Sequence, residues 1–576
     1  MSDLIEIFID RNEPDAFFAK IPYQYLNRVH KIGGKWVQGK KVWRFPLDES
    51  LWQKLEDEFK DCEIKKDFAF ISRMNKRKES LNKFLHFKEI AEKDEPTDFG
   101  VEGVSLDGKN CLFNYQRHGV QCGLQVGDGF LIGDVPGLGK SIQSLAIAIE
   151  RKNRGEIHNC LIICPASLKY NWLDEIHKFT QEKALVIGHK AKNKEDREKQ
   201  WIAEGYFFKI VNYELVARDL YCEPKKQDNR ISCFAAVLKS FDMMVCDEIQ
   251  YLKHHTSIRT QACRGIQAKY RVGLSGTPID GKLEEIHSIF QILKPGLFVN
   301  KTQFMARYAE YDYFGSVKGY HKVQEVRDKI APYYIRRLKE TVFKDLPPKI
   351  YTDLHVELST KNMSDYKKII KGKSEITSES SAAELMLRAR QFLDFPEIVG
   401  MHNSSDKYKV FKELIDSLVS ENKEKVIVFS QYTNTINYLI KNLKADGYND
   451  ILLIDGSVES EERQEICRKF NGDDIPYILI MSDAGATGLN LQTAKSVIHY
   501  TDNFSPAIMQ QRNDRAHRAT TKHTVNVYRF ICDGTIDEHV RNILGKKMVV
   551  NNAMLDEKCT EFELSGMTAL ELLSCL

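Results

Sequence analysis

Two textures of hydrophobic and polar positions alternate along this chain. From about residue 106 to 300, and again from about 406 to 545, short apolar runs are separated by stretches with helical spacing. Phe130-Leu131-Ile132, Leu161-Ile162-Ile163-Cys164, Ile210-Val211 and Met243-Met244-Val245-Cys246 punctuate the first region. Val426-Ile427-Val428-Phe429, Ile451-Leu452-Leu453-Ile454, Tyr477 to Met481 and Val497-Ile498 punctuate the second. Runs apolar at every position suit strands buried on both faces, and their alternation with helices predicts parallel sheets. The expected fold class is α/β, with two lobes at 106–300 and 406–545. Between them the strand pattern fades, and Tyr, Lys and Arg abound. The polar stretch Ser374–Ser381 falls here, so 301–405 reads as helical protrusions and a connector.

The first 62 residues carry a different pattern. Ile5, Ile7 and Ile9 alternate with polar positions as a strand does, and Leu51, Leu55 and Phe59 share one helical face. Trp36-Val37-Gln38-Gly39-Lys40-Lys41-Val42-Trp43-Arg44-Phe45 reads as a hairpin, completing a small α+β module. Trp36, Trp43 and Arg44 there suit base stacking beside phosphate contacts; an aromatic mini-core with solvated cations fits the same spacing. Residues 63–105 read as a charged helical linker and 546–576 as a C-terminal tail.

Candidate chemistry enters where the runs end. Phe130-Leu131-Ile132 is followed by Gly133-Asp134-Val135-Pro136-Gly137-Leu138-Gly139-Lys140-Ser141 and then by Ile142, Leu145, Ala146 and Ile149 on one helical face. Strand, glycine-rich loop, Lys-Ser and helix form the layout of a phosphate-binding loop. Gly137, Leu138 and Gly139 would turn backbone N–H groups toward an anion, Lys140 would reach the outer phosphates, and the Ser141 hydroxyl would ligate Mg²⁺. Asp134 stands where the strict pattern has its first glycine. Met243 to Cys246 end in Asp247-Glu248, and in a parallel sheet these emerge at the same edge as the loop. There Asp247 can hold Mg²⁺, partly through water, and Glu248 can activate a water. In the second lobe Arg515 and Arg518 are three apart, a spacing that projects two permanent cations together toward a triphosphate.

Size and charge narrow the partners. The 576 residues are 42% hydrophobic and 29% charged, with a net charge of +3, so any nucleic-acid surface is a local groove. The 13 cysteines show no zinc spacing, which points to a reducing compartment. The start MSDLIEIF has no basic-then-apolar signal, and no apolar run reaches membrane length. We therefore expect a cytoplasmic chain with no membrane partner.

The ordered series resembles the Swi/Snf-type DNA translocases of helicase superfamily two. It comprises Tyr115-Gln116, Gly137 to Ser141, Asp247-Glu248-Ile249-Gln250, Leu274-Ser275-Gly276-Thr277-Pro278, Arg336-Arg337 with Leu346-Pro347-Pro348-Lys349, Asp483 to Leu491, Gln511 to Arg518 and Gly534-Thr535-Ile536-Asp537-Glu538. The resemblance covers roughly 105–545 and implies two tandem RecA-like lobes that use ATP and Mg²⁺ to move along double-stranded or branched DNA, in a DNA-associated monomer that is nuclear if eukaryotic; a strand-separating DNA or RNA helicase and a nucleotide-gated scaffold without productive hydrolysis are the alternatives. It implies that Gln116 reads adenine, that Lys140, Asp247, Glu248, Arg515 and Arg518 are catalytic, and that Gln511 couples the lobes. Val135 and Pro136 depart from the family's acidic-methionine pair, and Gln250 from its usual histidine. Lys40 to Pro46 is similar to the HARP (HepA-related) module of annealing helicases, which implies DNA contacts at Trp36, Trp43 and Arg44; Lys169 is a further candidate contact.

Overall fold

The computed structural model describes residues 4–555, except 11–15, 33, 47–48, 94, 106–110, 127–128, 221–239, 280–281, 314, 316, 344–345, 372–378, 473, 484–488 and 519–520, and also residues 562–563. The glycine-rich turn at 484–488, most of the polar stretch at 374–381 and most of the tail lie outside the described residues.

Lobe one is a seven-stranded sheet in which every pairing is parallel. Its order is Tyr334–Ile335, Phe130–Ile132, Gln267–Leu274, Ser240–Asp247, Cys160–Cys164, Phe208–Asn212 and Ala184–Val186. Why its strands are apolar throughout is visible in the packing. Leu161, Ile163, Met244 and Cys246 enter a core on one face, while Cys160, Ile162, Met243 and Val245 enter a second core on the other. Lobe two repeats the plan with six parallel strands, ordered Lys349–Val356, Val525–Cys532, Ser496–His499, Val426–Phe429, Ile478–Met481 and Ile451–Ile454. Val426 and Val428 face one core there, and Ile427 and Phe429 the other. The architecture is two tandem RecA-like lobes with helical protrusions.

The intervening segment does more than connect. Besides helices such as Val323–Ile330 and Glu379–Asp394, it supplies the edge strand of each sheet, Tyr334–Ile335 to lobe one and Lys349–Val356 to lobe two. An edge strand needs only one apolar face, and its mixed composition hides it from a search for continuous apolar runs.

The N-terminal module is a five-stranded sheet ordered Lys35–Val37, Val42–Pro46, Ala16–Lys20, Leu4–Phe8 and Glu63–Lys66, so its last strand lies past residue 62. The helix Phe68–Lys93 then ties module to lobe. Phe70 and Met74 complete the module's core, while Phe84 joins a lobe-one core and lies 6.1 Å, edge-on, from Phe130.

Candidate functional site

Parallel register assembles the first half of the site. Asp247 lies opposite Leu274, and Leu274 opposite Ile132. The glycine-rich loop, the Asp247-Glu248 pair and the Ser275-Gly276-Thr277 turn therefore leave one sheet edge side by side. Gly137 and Gly139 adopt φ of +93° and +70°, a region where a Cβ is strained. Gly139 caps the helix Lys140–Asn153, aiming that helix's free N–H groups at the loop. Lys140 Nζ folds back to donate to the Asp134 carbonyl at 2.9 Å. Gln116 Nε2 donates to the Leu138 carbonyl at 3.1 Å, and a Cβ on residue 139 would sit 2.4 Å from that amide. Leu138 is fully buried, and Ser141 half-buried, at the same turn.

The residues that break the loop pattern have structural partners. The buried Asp134 carboxylate accepts from the Arg337 backbone N–H at 3.1 Å, from its Nε at 2.9 Å and from its Nη2. Gln143 Nε2 adds a donor at 3.0 Å. A bidentate guanidinium thus anchors the loop to the edge strand. Val135 packs with Tyr115 and Leu138, against Leu338, Val342 and Phe343. Both positions serve the contact between the phosphate loop and the Arg336-Arg337 segment.

The carboxylate pair is held from behind. Asp247 accepts from the Trp172 indole N–H at 2.8 Å, and its carboxyl is pushed up to about 7 by burial first and the Glu248 charge second. Glu248 has a left-handed backbone, φ +50°, and Gln250 Nε2 donates to its Oε2 at 2.5 Å. Gln250, where the family's usual residue is histidine, thereby supplies a donor that orients the Glu248 carboxylate. Glu175, one turn after Trp172 on the helix Lys169–Phe179, hydrogen-bonds Ser141 and lies near Arg518; burial raises its carboxyl. Trp172 and Glu175 carry no motif signal of their own and were not among the sequence candidates.

Lobe two closes the site. Arg518 Nη2 and Arg515 Nη1 both donate to the Leu489 carbonyl, at 2.6 and 3.3 Å. A Cβ on Gly137 would lie 3.8 Å from Arg518 Cδ, so Arg518 reaches the loop across the lobe boundary. Burial lowers the Arg515 guanidinium to about 10, with Arg518 adding repulsion and Glu248 attraction. The Nε atoms of both arginines, Thr277 Oγ1 and Gln250 Oε1 are buried without a protein partner. Two half-satisfied cations facing a glycine loop and a carboxylate pair fit a bound polyphosphate with its metal. Gln511 is half-buried on the helix Pro506–Asn513. Its neighbour Arg512, missed in the sequence, carries the structural load. Arg512 is clamped to Asp483 at 2.6 and 2.9 Å and donates to the Thr501 carbonyl at 2.8 Å. Beside the seam a cleft of about 520 Å³ is lined by Ser167 and Asn171 from lobe one and by Arg463, Arg468 and Asn490 from lobe two.

One expectation in the N-terminal module is corrected. Trp43 is 2% exposed, packed between Trp36 at 5.1 Å and His30 at 5.4 Å, and cannot stack on a base. The strand pairing explains it: Trp43 lies opposite Ala19, on the face that holds Phe17 and Phe45. Trp36, paired directly with Trp43 on the edge strand and so on the same face, is 44% exposed, while Arg44 on the opposite face is half-buried. Lys169 is half-buried, its ammonium lowered by burial against the pull of Cys164 and Glu214.

Two family models match the chain. The SNF2-related domain matches residues 108–423, and the helicase conserved C-terminal domain matches residues 406–520. The chain belongs to the SNF2-related family. An uncharacterized ATP-dependent helicase of Mycoplasma pneumoniae is 30% identical over 496 residues, covering 84% of this SNF2-related chain and 46% of its own length. The TATA-binding protein-associated factor 172 of Homo sapiens is 25% identical over 582 residues, covering 86% of this chain and 30% of its own. The SNF2-related chain thus spans less than half the length of these curated relatives. A solved Sulfolobus solfataricus SWI2/SNF2 ATPase core in complex with dsDNA aligns with a TM-score of 0.36 at 24% identity, over 80% of this chain and 95% of that one.

Proposed function

We propose that the chain is a DNA-stimulated ATPase that moves along double-stranded DNA and remodels it, annealing or regressing forked substrates. The observation that carries this is the composite seam. The glycine loop and Asp247-Glu248 of lobe one meet Arg515 and Arg518 of lobe two, whose buried Nε atoms lack protein partners. Lys140 and the loop N–H groups would hold the phosphates, Gln116 the base, and Ser141 and Asp247 the Mg²⁺, which when bound supplies charge neutralisation on the phosphoryl oxygens. Glu248, oriented by Gln250, would take the proton of the attacking water. Because Arg515 and Arg518, the proposed arginine fingers, come from the other lobe, chemistry is gated by lobe closure, and DNA in the inter-lobe cleft is the proposed trigger. That cleft offers Arg463 and Arg468 with amide side chains, a composition suited to backbone contacts and shape preference over base reading. The N-terminal sheet is proposed as a HARP-like module presenting Trp36 and Arg44 to branched DNA.

A panel of ATP turnover without DNA and with single-stranded, duplex and forked DNA tests the reading. Turnover should rise strongly with duplex or forked DNA and vanish in Lys140→Ala and Glu248→Gln. Turnover of the same size without DNA would sink it. Strand displacement exceeding annealing on the fork would replace remodelling with strand separation.

A further inference from the structure

One buried lysine joins the phosphate loop to the turn that bears the arginines. Lys339 opens the short helix Lys339–Val342, two residues after Arg337. Its Nζ donates to Asp514 Oδ1 at 2.6 Å and to the His517 carbonyl, both in lobe two. The Lys339 and Asp514 side chains are each 2% exposed. A Cβ on Gly137 would lie 3.3 Å from Lys339 Cε, so the lysine stem runs against the apex of the loop. Asp514 immediately precedes Arg515, and His517 immediately precedes Arg518, so Lys339 grips the turn at both of its arginines. Lys349 also approaches Asp514, at 3.6 Å, and His517 Nε2 meets the Pro347 carbonyl at 2.7 Å. Those two contacts come from the segment leading into lobe two's own edge strand. Lys339 comes from the segment that Asp134 clamps to the loop.

We infer that Lys339 is a positioning residue that sets Arg515 and Arg518 against the phosphate loop, acting through Asp514 and the His517 carbonyl. The inference rests on the proposed hydrolysis at this seam. The chain of contact is short and polar: loop, Asp134, Arg337, two residues of backbone, Lys339, finger turn. A buried carboxylate stripped of its lysine is driven to find water, and the turn that carries it must shift. A displacement of about an ångström is enough to cost on the order of 100-fold in a step that depends on alignment. Geometry also supplies a signature. Burial lowers the Lys339 ammonium to about 8 against the pull of Asp514, with Lys349 and Arg518 pushing the same way as burial. Of the other group facing it, the His517 imidazole is also lowered by burial, which favours its neutral form. Raising the pH through about 8 therefore discharges Lys339 and loosens the grip, and an arginine in its place stays charged.

The experiment compares the full chain with Lys339→Met, Lys339→Arg and Lys339→Met/Asp514→Asn. It measures kcat and KM for duplex-stimulated ATP turnover over the range of about pH 6 to 10 that spans the lowered and ordinary lysine values. Small-angle X-ray scattering of the ligand-free proteins is recorded alongside. Lys339→Met should lose about 100-fold in kcat while KM stays within about threefold. It should also scatter as a more open particle, and the double variant should recover part of both losses. Lys339→Arg should keep a larger share of kcat, with an alkaline limb moved above the wild-type limb near 8. Wild-type kcat and scattering in Lys339→Met would overturn the inference, as would an unmoved alkaline limb in Lys339→Arg, which decides the matter if the methionine variant does not fold. A wild-type chain that turns over no ATP would overturn the proposed function instead, and the scattering comparison would then judge the positioning role alone.

Discussion

Asp247 shows how one side chain trades stability for chemistry. Its carboxyl is raised to about 7, by burial and then by Glu248. A folded-state value above the unfolded one means that this group favours folding most below the unfolded value and loses that contribution as pH rises through about 7. Asp247→Asn should therefore be more stable than wild type, by about 1–3 kcal/mol above neutrality and by less near pH 5. Thermal unfolding at two pH values checks this, and an equal difference at both would refute it. The N-terminal tryptophans make the complementary pair. Trp43→Ala should destabilise the module by about 3–5 kcal/mol, as large-to-small core changes do. Trp36→Ala, which removes only a half-exposed ring from the side of Trp43, should destabilise the module less than Trp43→Ala and weaken the preference for forked over duplex DNA in a binding titration; an undiminished preference removes the hairpin from DNA recognition. At this scale the sequence was legible where a residue's role is set by its own short window. The left-handed turn at Gly139 and the placement of Lys140, Ser141 and the Asp247-Glu248 pair at one sheet edge are of that kind. Trp43 was not, because which face of a hairpin is buried depends on the strand it pairs with.

Among the elements, the edge strand Tyr334–Ile335 and the segment after it matter beyond their length. Arg337 pairs with an aspartate 203 positions away in sequence, and neither partner announces the other. Removing one partner of a buried ion pair leaves an uncompensated charge, so Asp134→Ala should cost about 3–5 kcal/mol. Asp134→Ala/Arg337→Met should cost less than the sum of the single changes. Urea unfolding followed through lobe-one hydrogen exchange measures the cycle, and strict additivity would show that the pair does not couple. The continuous apolar runs revealed eight strands directly, four in each lobe, but not this one. Two residues of strand carry no periodicity, and Lys349–Val356 alternates because one of its faces is open. The same limitation hid Lys339, Trp172 and Glu175, whose meaning lies in contacts made across the fold.

For the whole molecule, the two lobes share one design, and the proposed chemistry lies at the seam between them. DNA affinity should fall linearly on a log–log plot against salt, with a slope near −0.9 for each phosphate neutralised, about one unit shallower after a single cleft arginine such as Arg463 is replaced. A titration at several salt concentrations tests it, and an unchanged slope would move the DNA away from that cleft. The presence and order of the two parallel sheets were visible from texture alone, since buried parallel strands write themselves as unbroken apolar runs, but their edge strands Tyr334–Ile335 and Lys349–Val356 fall outside 106–300 and 406–545 and were not. The way the N-terminal module is fastened was not, because Phe68–Lys93 reads as a solvated charged helix until Phe70, Met74 and Phe84 are seen to face two different cores.

That helix has a mechanical consequence. At about 1.5 Å per residue its 26 residues form a rod of roughly 39 Å, pinned to the phosphate-loop strand near one end and to the small sheet at the other. The module must then travel with lobe one as a lever arm. A lobe rotation of a few degrees during each cycle would sweep its tip by a few ångströms, enough to pull on any DNA that the tip holds.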